Sequence, residues 1–453
     1  MSDRPDFAVQ IHQNPYLPAN GTQVHAIVRV EARGDPVGTG PPRAERSASA
    51  AEVIIVDTSA SMAGERLEAA RQAAKAAVDA LREDVDFAIV AGSRDAAMVY
   101  PRDVLLARAT DRGKAAAKEA ISGLSAAGGT RIGRWLALAG ELLADSGHGI
   151  RHAVLLTDGR NEHESRAELD AALAGCAGRF VCDCRGVGAD WEPAELRAVA
   201  SRLLGGFGLV ADPRDLVADF TEMIGRAMGK AVADVSLRVW TPDRASLRFL
   251  KQVYPVRRDL TDKRMEKDPK VDDGGDGGGG PATGDYATGI WGTEKRDYHL
   301  CVTVPVGRPH QRMQAARVSM VLPGSGGAPD EPLAEGMVLV EWTDDKARPT
   351  GRHPSVEHYS RREELADSVS QGLAAYRSGD DAAAGRELRR ALDLAERSGA
   401  TGTSRRLDRV VVQETGEIRP REDVDDADII ALDTDSSESA RRPPVTGEGE
   451  DGE

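Results

Sequence analysis

Two hydrophobic patterns divide the chain. From residue 51 to about residue 229, short runs of consecutive apolar residues alternate with stretches in which apolar side chains recur every three or four positions. The first pattern predicts strands that are buried on both faces, and the second predicts amphipathic helices. Repeated strand–helix units of this kind form a doubly wound, mostly parallel sheet, so we predict an α/β, Rossmann-like domain over residues 51–229.

A different pattern flanks this domain on both sides. Apolar and polar residues alternate there, as in half-buried antiparallel strands. Together the flanking runs amount to about seven strands, enough for an antiparallel β-sandwich into which the α/β domain is inserted. We assign residues 1–45 and 233–345 to this sandwich. The predicted strands cover residues 7–12, 24–30, 235–240, 247–256, 299–306, 317–322 and 336–342.

Three further segments are expected. Residues 268–286 are rich in Gly and Asp without the spacing of an EF-hand, which predicts a flexible loop rather than a calcium site. Residues 358–400 carry two helical patterns joined at a short polar turn and are predicted to form a helical hairpin. Residues 411–453 contain fourteen Asp or Glu against four Arg, and this composition predicts an acidic, disordered tail.

Composition narrows the choice of partners. The net charge is −15, and two-thirds of it lies in the acidic tail, so no basic surface is expected and a nucleic-acid partner is disfavoured. No run approaches the roughly 18 apolar residues of a membrane span, and the first residues do not resemble a signal peptide. We therefore expect a cytoplasmic protein. Its four cysteines are too few and too scattered for a disulfide scaffold.

Candidate chemistry follows the first buried strand. Asp57, Ser59 and Ser61 stand in the pattern D-x-S-x-S directly after the apolar run at 53–56. One carboxylate and two hydroxyls are oxygen ligands of the kind that suits Mg²⁺. Asp and Ser are also the commonest residues at helix N-termini. Taken alone, the stretch fits either a metal site or a helix cap.

Two later motifs favour the metal site. Gly128-Gly129-Thr130 precedes a predicted helix, and Thr157-Asp158-Gly159 ends the apolar strand at 153–156. The three motifs, in this order, resemble the von Willebrand factor A domain over about residues 51–229. That resemblance implies a metal-ion-dependent adhesion site for Mg²⁺ or Mn²⁺. Ser59 and Ser61 would ligate the metal directly, Thr130 would join them when a partner is bound, and Asp57 and Asp158 would bind directly or through one water.

The resemblance also implies a function. In the family, the open position of the metal takes an Asp or Glu carboxylate from a partner protein. We therefore expect a non-enzymatic, metal-dependent adaptor or scaffold. One alternative is an accessory subunit of an ATP-driven, chelatase-like complex, with the ATPase on another chain because residues 225–231 do not match a phosphate-binding loop. An extracellular adhesin is disfavoured by the absence of a signal peptide and of a disulfide framework.

The acidic tail carries two further hypotheses. Thr434 lies in an acidic, hydroxyl-rich stretch and is a candidate phosphorylation site for a phosphopeptide-reading partner. The alternative is an ordinary solvated tail. The Asp and Glu residues of a flexible tail are also candidate internal ligands of the metal, which would make the tail autoinhibitory.

Overall fold

The structure is a computed structural model. It describes residues 5–34, 49–144, 146–158, 161, 163–187, 193–210, 212–229, 232–265, 282–324, 329–345, 347–348, 351–414, 417–421 and 424–437.

Three strands open the chain, and an α/β region follows them. The opening strands are β1 (Asp6–Gln13), β2 (Tyr16–Pro18) and β3 (Gln23–Arg33). The elements of the α/β region are β4 (Ala50–Asp57), α1 (Glu65–Ala80), β5 (Asp86–Gly92), β6 (Ala96–Tyr100), β7 (Ala107–Arg108), α2 (Asp111–Ser122), α3 (Ile132–Ala144), β8 (Ile150–Thr157), α4 (Arg166–Cys176), β9 (Val181–Val187), α5 (Pro193–Arg202), β10 (Leu204–Val210) and α6 (Leu216–Met228).

The α/β region is built on one seven-stranded sheet. Its order is β10-β9-β8-β4-β5-β6, and β7 pairs with β5. Strands β10, β9, β8, β4 and β5 are parallel, and β6 and β7 run antiparallel to β5. The predicted α/β fold is therefore confirmed, with an antiparallel edge formed by the β5–β6 hairpin and by β7.

Helices cover both faces of this sheet. Ile54 and Val56 of β4 pack into a core with residues of α1, α2 and α6. Val53 and Ile55 point to the other face and pack with residues of α3, α4 and α5. The period of two along a strand separates the two cores, which explains why the whole run 53–56 is apolar.

Strands from both flanks share two further sheets. After α6 come β11 (Ser236–Thr241), β12 (Ser246–Tyr254), β13 (Arg258–Asp259), β14 (Ala282–Ala287), β15 (Glu294–Thr303), β16 (Arg312–Leu322) and β17 (Glu331–Thr343). One sheet has the order β1-β3-β15-β12-β13 and the other β14-β11-β16-β17-β2. Both contribute to one hydrophobic core, which contains Val28, Trp291, Val318 and Trp342.

Among the described residues these two sheets contain ten strands, and about seven were expected. The sequence pattern missed β2, β13 and β14 because two or three residues, or a segment rich in Gly and Asp, show no clear alternation. Residues 282–286 of the predicted flexible loop are thus part of a strand. Residues 268–281, which make up the rest of that loop, lie outside the described part of the chain.

Helices follow the last strand of these sheets. They are α7 (Pro354–Arg377), α8 (Asp381–Ser398) and α9 (Thr401–Val410). The helices α7 and α8 pack against each other and are joined by residues 378–380, where a hairpin was predicted. Tyr359 of α7 also contacts the first antiparallel sheet, because its hydroxyl donates to Asp297 of β15 at 2.8 Å.

The prediction of a disordered tail from residue 411 is wrong over the described part of that segment. Residues there form β18 (Val411–Glu414), β19 (Glu417–Pro420) and α10 (Asp426–Ser437). Ile429 and Leu432 are buried against α7, α8 and α9. The high proportion of acidic residues in the whole tail concealed this short apolar run. Residues 438–453 lie outside the described part of the chain.

The prediction of Thr434 as a phosphorylation site is also wrong. The side chain is only 7% exposed in α10, so it is not the accessible phosphorylation site that was expected of a solvated tail. Among the described residues, every helix is too short or too polar to cross a membrane.

Candidate metal centre

The site begins at the carboxyl end of β4. Asp57 is the last residue of that strand and is fully buried. Its Oδ1 accepts a hydrogen bond from the backbone N–H of Ser59 at 2.7 Å, and its Oδ2 accepts one from the hydroxyl of Thr157 at 2.5 Å. Because β4 and β8 are parallel neighbours, Thr157 reaches the same edge of the sheet as Asp57.

Burial shapes the electrostatics of Asp57. Removal from water raises the pKa of this carboxyl to about 6, and the neighbouring charge of Asp158 acts in the same direction. The hydrogen bonds from Thr157 and Ser59 oppose this shift because they stabilise the ionised form. A cation at this edge would relieve the repulsion between the two carboxylates.

A chain of hydrogen bonds connects the two carboxylates to the serines. The hydroxyls of Ser59 and Ser61 are 2.9 Å apart, and Ser61 donates to Oδ1 of Asp158 at 2.8 Å. Oδ2 of Asp158 accepts from Nη1 of Arg66, also at 2.8 Å. Ser61 is exposed whereas Ser59 and Asp158 are buried, so the site opens to solvent at Ser61.

Thr130 is held beside this loop by the backbone. The carbonyl of Gly128 accepts from the N–H of Ala60 at 3.1 Å, and the N–H of Ala127 donates to the carbonyl of Thr58 at 2.7 Å. Gly128 has φ +86°, a conformation that favours glycine. Thr130 is 5% exposed. The structure therefore brings the loop of Thr130 against the loop of Asp57, Ser59 and Ser61.

The segment after β8 supports the Thr130 loop. Asn161 accepts from the N–H of Ile132 at 3.0 Å, and Glu164 accepts from the N–H of Gly133 at 2.8 Å. Nδ1 of His163 lies 3.4 Å from the N–H of Thr130. These three supporting residues could not be predicted from the sequence, because α3, the helix that they support, begins about thirty residues earlier in the chain.

Helix capping does not account for the candidate residues. A short 3₁₀ helix (Ala60–Met62) overlaps the end of the motif, and Ser59 at its N-cap position makes no side-chain capping bond. Helix α1 begins later, after Gly64. The amides at the start of α3 bond to Asn161 and Glu164, as described above, and not to the hydroxyl of Thr130. The structure therefore does not support the alternative interpretation, in which the D-x-S-x-S stretch caps the following helix.

The donor set fits a hard divalent cation. It consists of two carboxylates and hydroxyls at one sheet edge, and such oxygen ligands suit Mg²⁺ or Mn²⁺. Within the described ranges no group of three or more His, Cys, Asp or Glu side chains is arranged to hold a metal, so binding here would depend on the hydroxyls. Cys182 and Cys184 are buried free thiols on β9.

Comparison with known proteins places this chain in a family. The family model for the von Willebrand factor type A domain matches residues 51–207, and that for the von Willebrand factor type A C-terminal domain matches residues 393–436. The solved structure of a von Willebrand factor type A protein from Catenulispora acidiphila is 41% identical, with a TM-score of 0.88. The match covers 97% of this chain and 98% of that one.

Two more distant similarities were found, one to a solved structure that shares the fold and one to a protein sequence. The structure of the ArnB paralog VWA2 from Sulfolobus acidocaldarius is 14% identical, with a TM-score of 0.58 over 97% of this chain and 100% of that one. The uncharacterized protein sll0103 from Synechocystis sp. is 28% identical over 213 residues, or 46% of this chain and 49% of its own length. The chain thus spans about half the length of that relative.

Domains of this family are typical protein-interaction modules, and neither matching family model describes a catalytic domain. The match to the C-terminal family model covers the end of α8, α9 and most of α10, in agreement with an ordered C-terminal segment. On the Catenulispora structure and the two family models together, the chain belongs to the von Willebrand factor type A family.

Proposed function

We propose that the chain is a metal-dependent protein-interaction module, acting as an adaptor or scaffold. Asp57, Ser59, Ser61, Thr130 and Asp158 would hold Mg²⁺ or Mn²⁺. The metal would bind an Asp or Glu carboxylate of a partner protein. The observation that supports this most directly is the hydrogen-bonded chain from Asp57 through Ser59 and Ser61 to Asp158.

The small number of protein carboxylates at the site supports an external carboxylate as the last ligand. Asp57 and Asp158 carry two negative charges when ionised, which neutralise a divalent ion. A divalent ion with few protein carboxylates keeps Lewis acidity at its open positions. The exposed hydroxyl of Ser61 marks the side from which a partner can approach.

We infer further that the two flanking sheets, which are antiparallel apart from the parallel pair β17–β2, form a β-sandwich and that the α/β unit is inserted into it. The chain order supports this, because β1 and β3 come before the α/β region, β1 pairs with β3, and β3 pairs with β15, which follows that region. Both connections to the inserted unit then start from one scaffold, which would hold the metal site at a fixed orientation for a partner.

Calorimetric titration with MgCl₂ and MnCl₂ tests the metal site. We expect saturable binding by the wild type and at least about tenfold weaker binding by Ser61→Ala and Asp57→Asn, since each loses an oxygen ligand or a charge. Ser122→Ala is the matched control, because its hydroxyl bonds to the carbonyl of Lys118 within α2. Equal binding by the wild type and Ser61→Ala, or no binding by the wild type, would contradict the proposal.

The partner is tested by affinity capture. The full chain is immobilised in Mg²⁺, a lysate is applied, and the column is eluted with EDTA. A protein released by EDTA from the wild type and not retained by Asp57→Asn is the expected result. If the same proteins elute from both columns, the interaction does not depend on the metal.

A further inference from the structure

The salt bridge between Arg66 and Asp158 is a feature of the site that metal ligation does not explain. Nη1 of Arg66 lies 2.8 Å from Oδ2 of Asp158. The Asp158 side chain is 0% exposed, whereas that of Arg66 is 35% exposed. A buried carboxylate requires a cation or several donors, and this guanidinium reaches it from the rim of the site.

The position of Arg66 in its helix is unfavourable on local grounds. It is the second residue of α1, in the first turn, where the helix dipole favours acidic side chains. Glu65 and Glu68 occupy the same turn and follow that preference. The bond to Asp158 therefore offsets a local cost, and the placement of a cation here is specific to the site.

The bonds of Asp158 put Arg66 in competition with a metal. Oδ1 receives the hydroxyl of Ser61, and Oδ2 receives Arg66. A divalent ion beside Ser61 would lie close to a guanidinium that bonds to the same carboxylate, and the two positive charges would repel each other. The partly exposed side chain can move into solvent when the ion enters.

We propose that Arg66 is an internal countercation that sets the metal affinity of this site. Its guanidinium neutralises Asp158 in the metal-free protein and leaves when the ion binds. Arg66 thereby stabilises the metal-free fold and lowers affinity for the metal. This inference rests on the proposed metal site.

The test compares Arg66→Gln, Arg66→Lys and a matched control by Mg²⁺ calorimetry and by thermal melting in EDTA. Arg66→Gln removes a positive charge beside the proposed ion, so we expect about tenfold tighter Mg²⁺ binding by this variant. In EDTA this variant should melt at a lower temperature than the wild type, because Asp158 loses its cation.

The control is Arg82→Gln. The side chain of Arg82 is 36% exposed and pairs with Asp84 at 3.0 Å just beyond the other end of α1, about 24 Å along the helix axis from its start. The Arg82→Gln variant should bind Mg²⁺ with the affinity of the wild type. Arg66→Lys keeps the charge without the planar fork of Arg, and we expect affinity two- to threefold above wild type and a smaller loss of thermal stability.

Each outcome decides between the two proposals. If the wild type binds Mg²⁺ and Arg66→Gln binds it equally or more weakly, the countercation proposal is wrong and the metal site stands. If neither protein binds Mg²⁺ or Mn²⁺, the metal site fails and the countercation role fails with it. Should Arg66→Gln not fold in EDTA, Arg66→Lys decides, and affinity no higher than wild type overturns the proposal.

Discussion

The carboxylate of Asp433 lies 2.9 Å from the guanidinium of Arg197, and this ion pair joins the C-terminal helix α10 to α5 of the α/β region. The Asp433 side chain is 7% exposed. Beside it, Ile430 is 4% exposed and packs into the same core as Val53 and Ile55 of the central sheet. The acidic C-terminal segment thus helps to complete the α/β core. Asp433 is paired with Arg197 and is therefore not placed to act as an internal ligand of the candidate metal site.

Ile430→Ala should lower the free energy of unfolding by about 2–4 kcal/mol, because it removes a buried side chain and leaves a cavity. Urea denaturation followed by circular dichroism measures the change. Leu105→Ala is the control, since Leu105 is 48% exposed, and it should change stability by less than about 0.5 kcal/mol. A solvated tail would instead make the two variants indistinguishable.

Features that depend on local sequence could be predicted, whereas features that depend on contacts between distant residues could not. The strand at 53–56 could be predicted, because a run of consecutive apolar residues indicates a buried parallel strand. The meeting of the site motifs at one sheet edge could also be predicted, because sites in such sheets lie at the carboxyl ends of the strands. Strand β13 has only two residues and depends on its pairing with β12. Arg66 and Asn161 act on residues that are distant in the chain, so no local pattern reveals them.

The ordered structure of the tail could not be predicted from the sequence for a different reason. Its net charge describes the average over residues 411–453, whereas folding of α10 depends on a few apolar side chains. Burial of Ile429, Ile430 and Leu432 outweighs the acidic composition of the segment, and Arg197 compensates one of its charges.

A second prediction concerns a buried histidine in the central sheet. Nδ1 of His152 lies 2.8 Å from Glu52 Oε2, and Nε2 lies 3.2 Å from Asp183 Oδ2. Burial alone would lower the pKa of His152, but the two carboxylates outweigh it and raise that pKa to about 10. His152→Gln should therefore destabilise the protein by about 3–5 kcal/mol at pH 7, since it leaves Glu52 buried without its cation.

The double variant Glu52→Gln/His152→Gln separates charge from packing. It should recover at least about 1 kcal/mol relative to His152→Gln, because the uncompensated carboxylate is gone. Urea denaturation of the four proteins in this cycle gives the coupling energy. Additive losses would show that the ion pair is not what stabilises this position.

A third prediction concerns acid. Nδ1 of His25 and Nε2 of His299 are 3.1 Å apart on the first antiparallel sheet. Burial, with the positive charge of Arg352, lowers the pKa of His25 to about 4. Burial, with the charges of His25 and Arg352, lowers that of His299 to about 3. Both histidines are therefore neutral in the folded protein, whereas an unfolded histidine titrates near 6.5.

Because both folded pKa values lie below the unfolded one, the unfolded state binds more protons as the pH falls below about 6.5. The stability that these histidines contribute is complete above that pH and is lost as the pH falls toward 4, by up to about 1.4 kcal/mol per pH unit for each group. Urea denaturation at pH 7, 6 and 5 should show a shallower decline for His25→Gln/His299→Gln than for the wild type.

The matched control is His310→Gln, because the side chain of His310 is 67% exposed. Its decline with acid should follow that of the wild type. If the double variant also declines as steeply as the wild type, the acid sensitivity arises from the carboxylates and not from the buried histidines.

A fourth prediction addresses the support of the Thr130 loop. Asn161→Ala removes the acceptor for the amide of Ile132 and the donor to Glu164, and it should destabilise the protein by about 1–2 kcal/mol. Thermal denaturation in EDTA isolates this effect from any metal. A loss below about 0.3 kcal/mol would mean that α3 does not need this cap.

The last prediction separates Thr130 from the serines. Ser61 bonds directly to Ser59 and Asp158, whereas Thr130 is attached to the same loop through backbone contacts of Ala127 and Gly128. If Thr130 joins the metal only when a partner carboxylate is present, Thr130→Ala should change Mg²⁺ affinity by less than about threefold, whereas Ser61→Ala lowers it at least about tenfold. Capture of an EDTA-released partner should fail with both variants. A partner that still binds Thr130→Ala at wild-type strength would remove Thr130 from the proposed site.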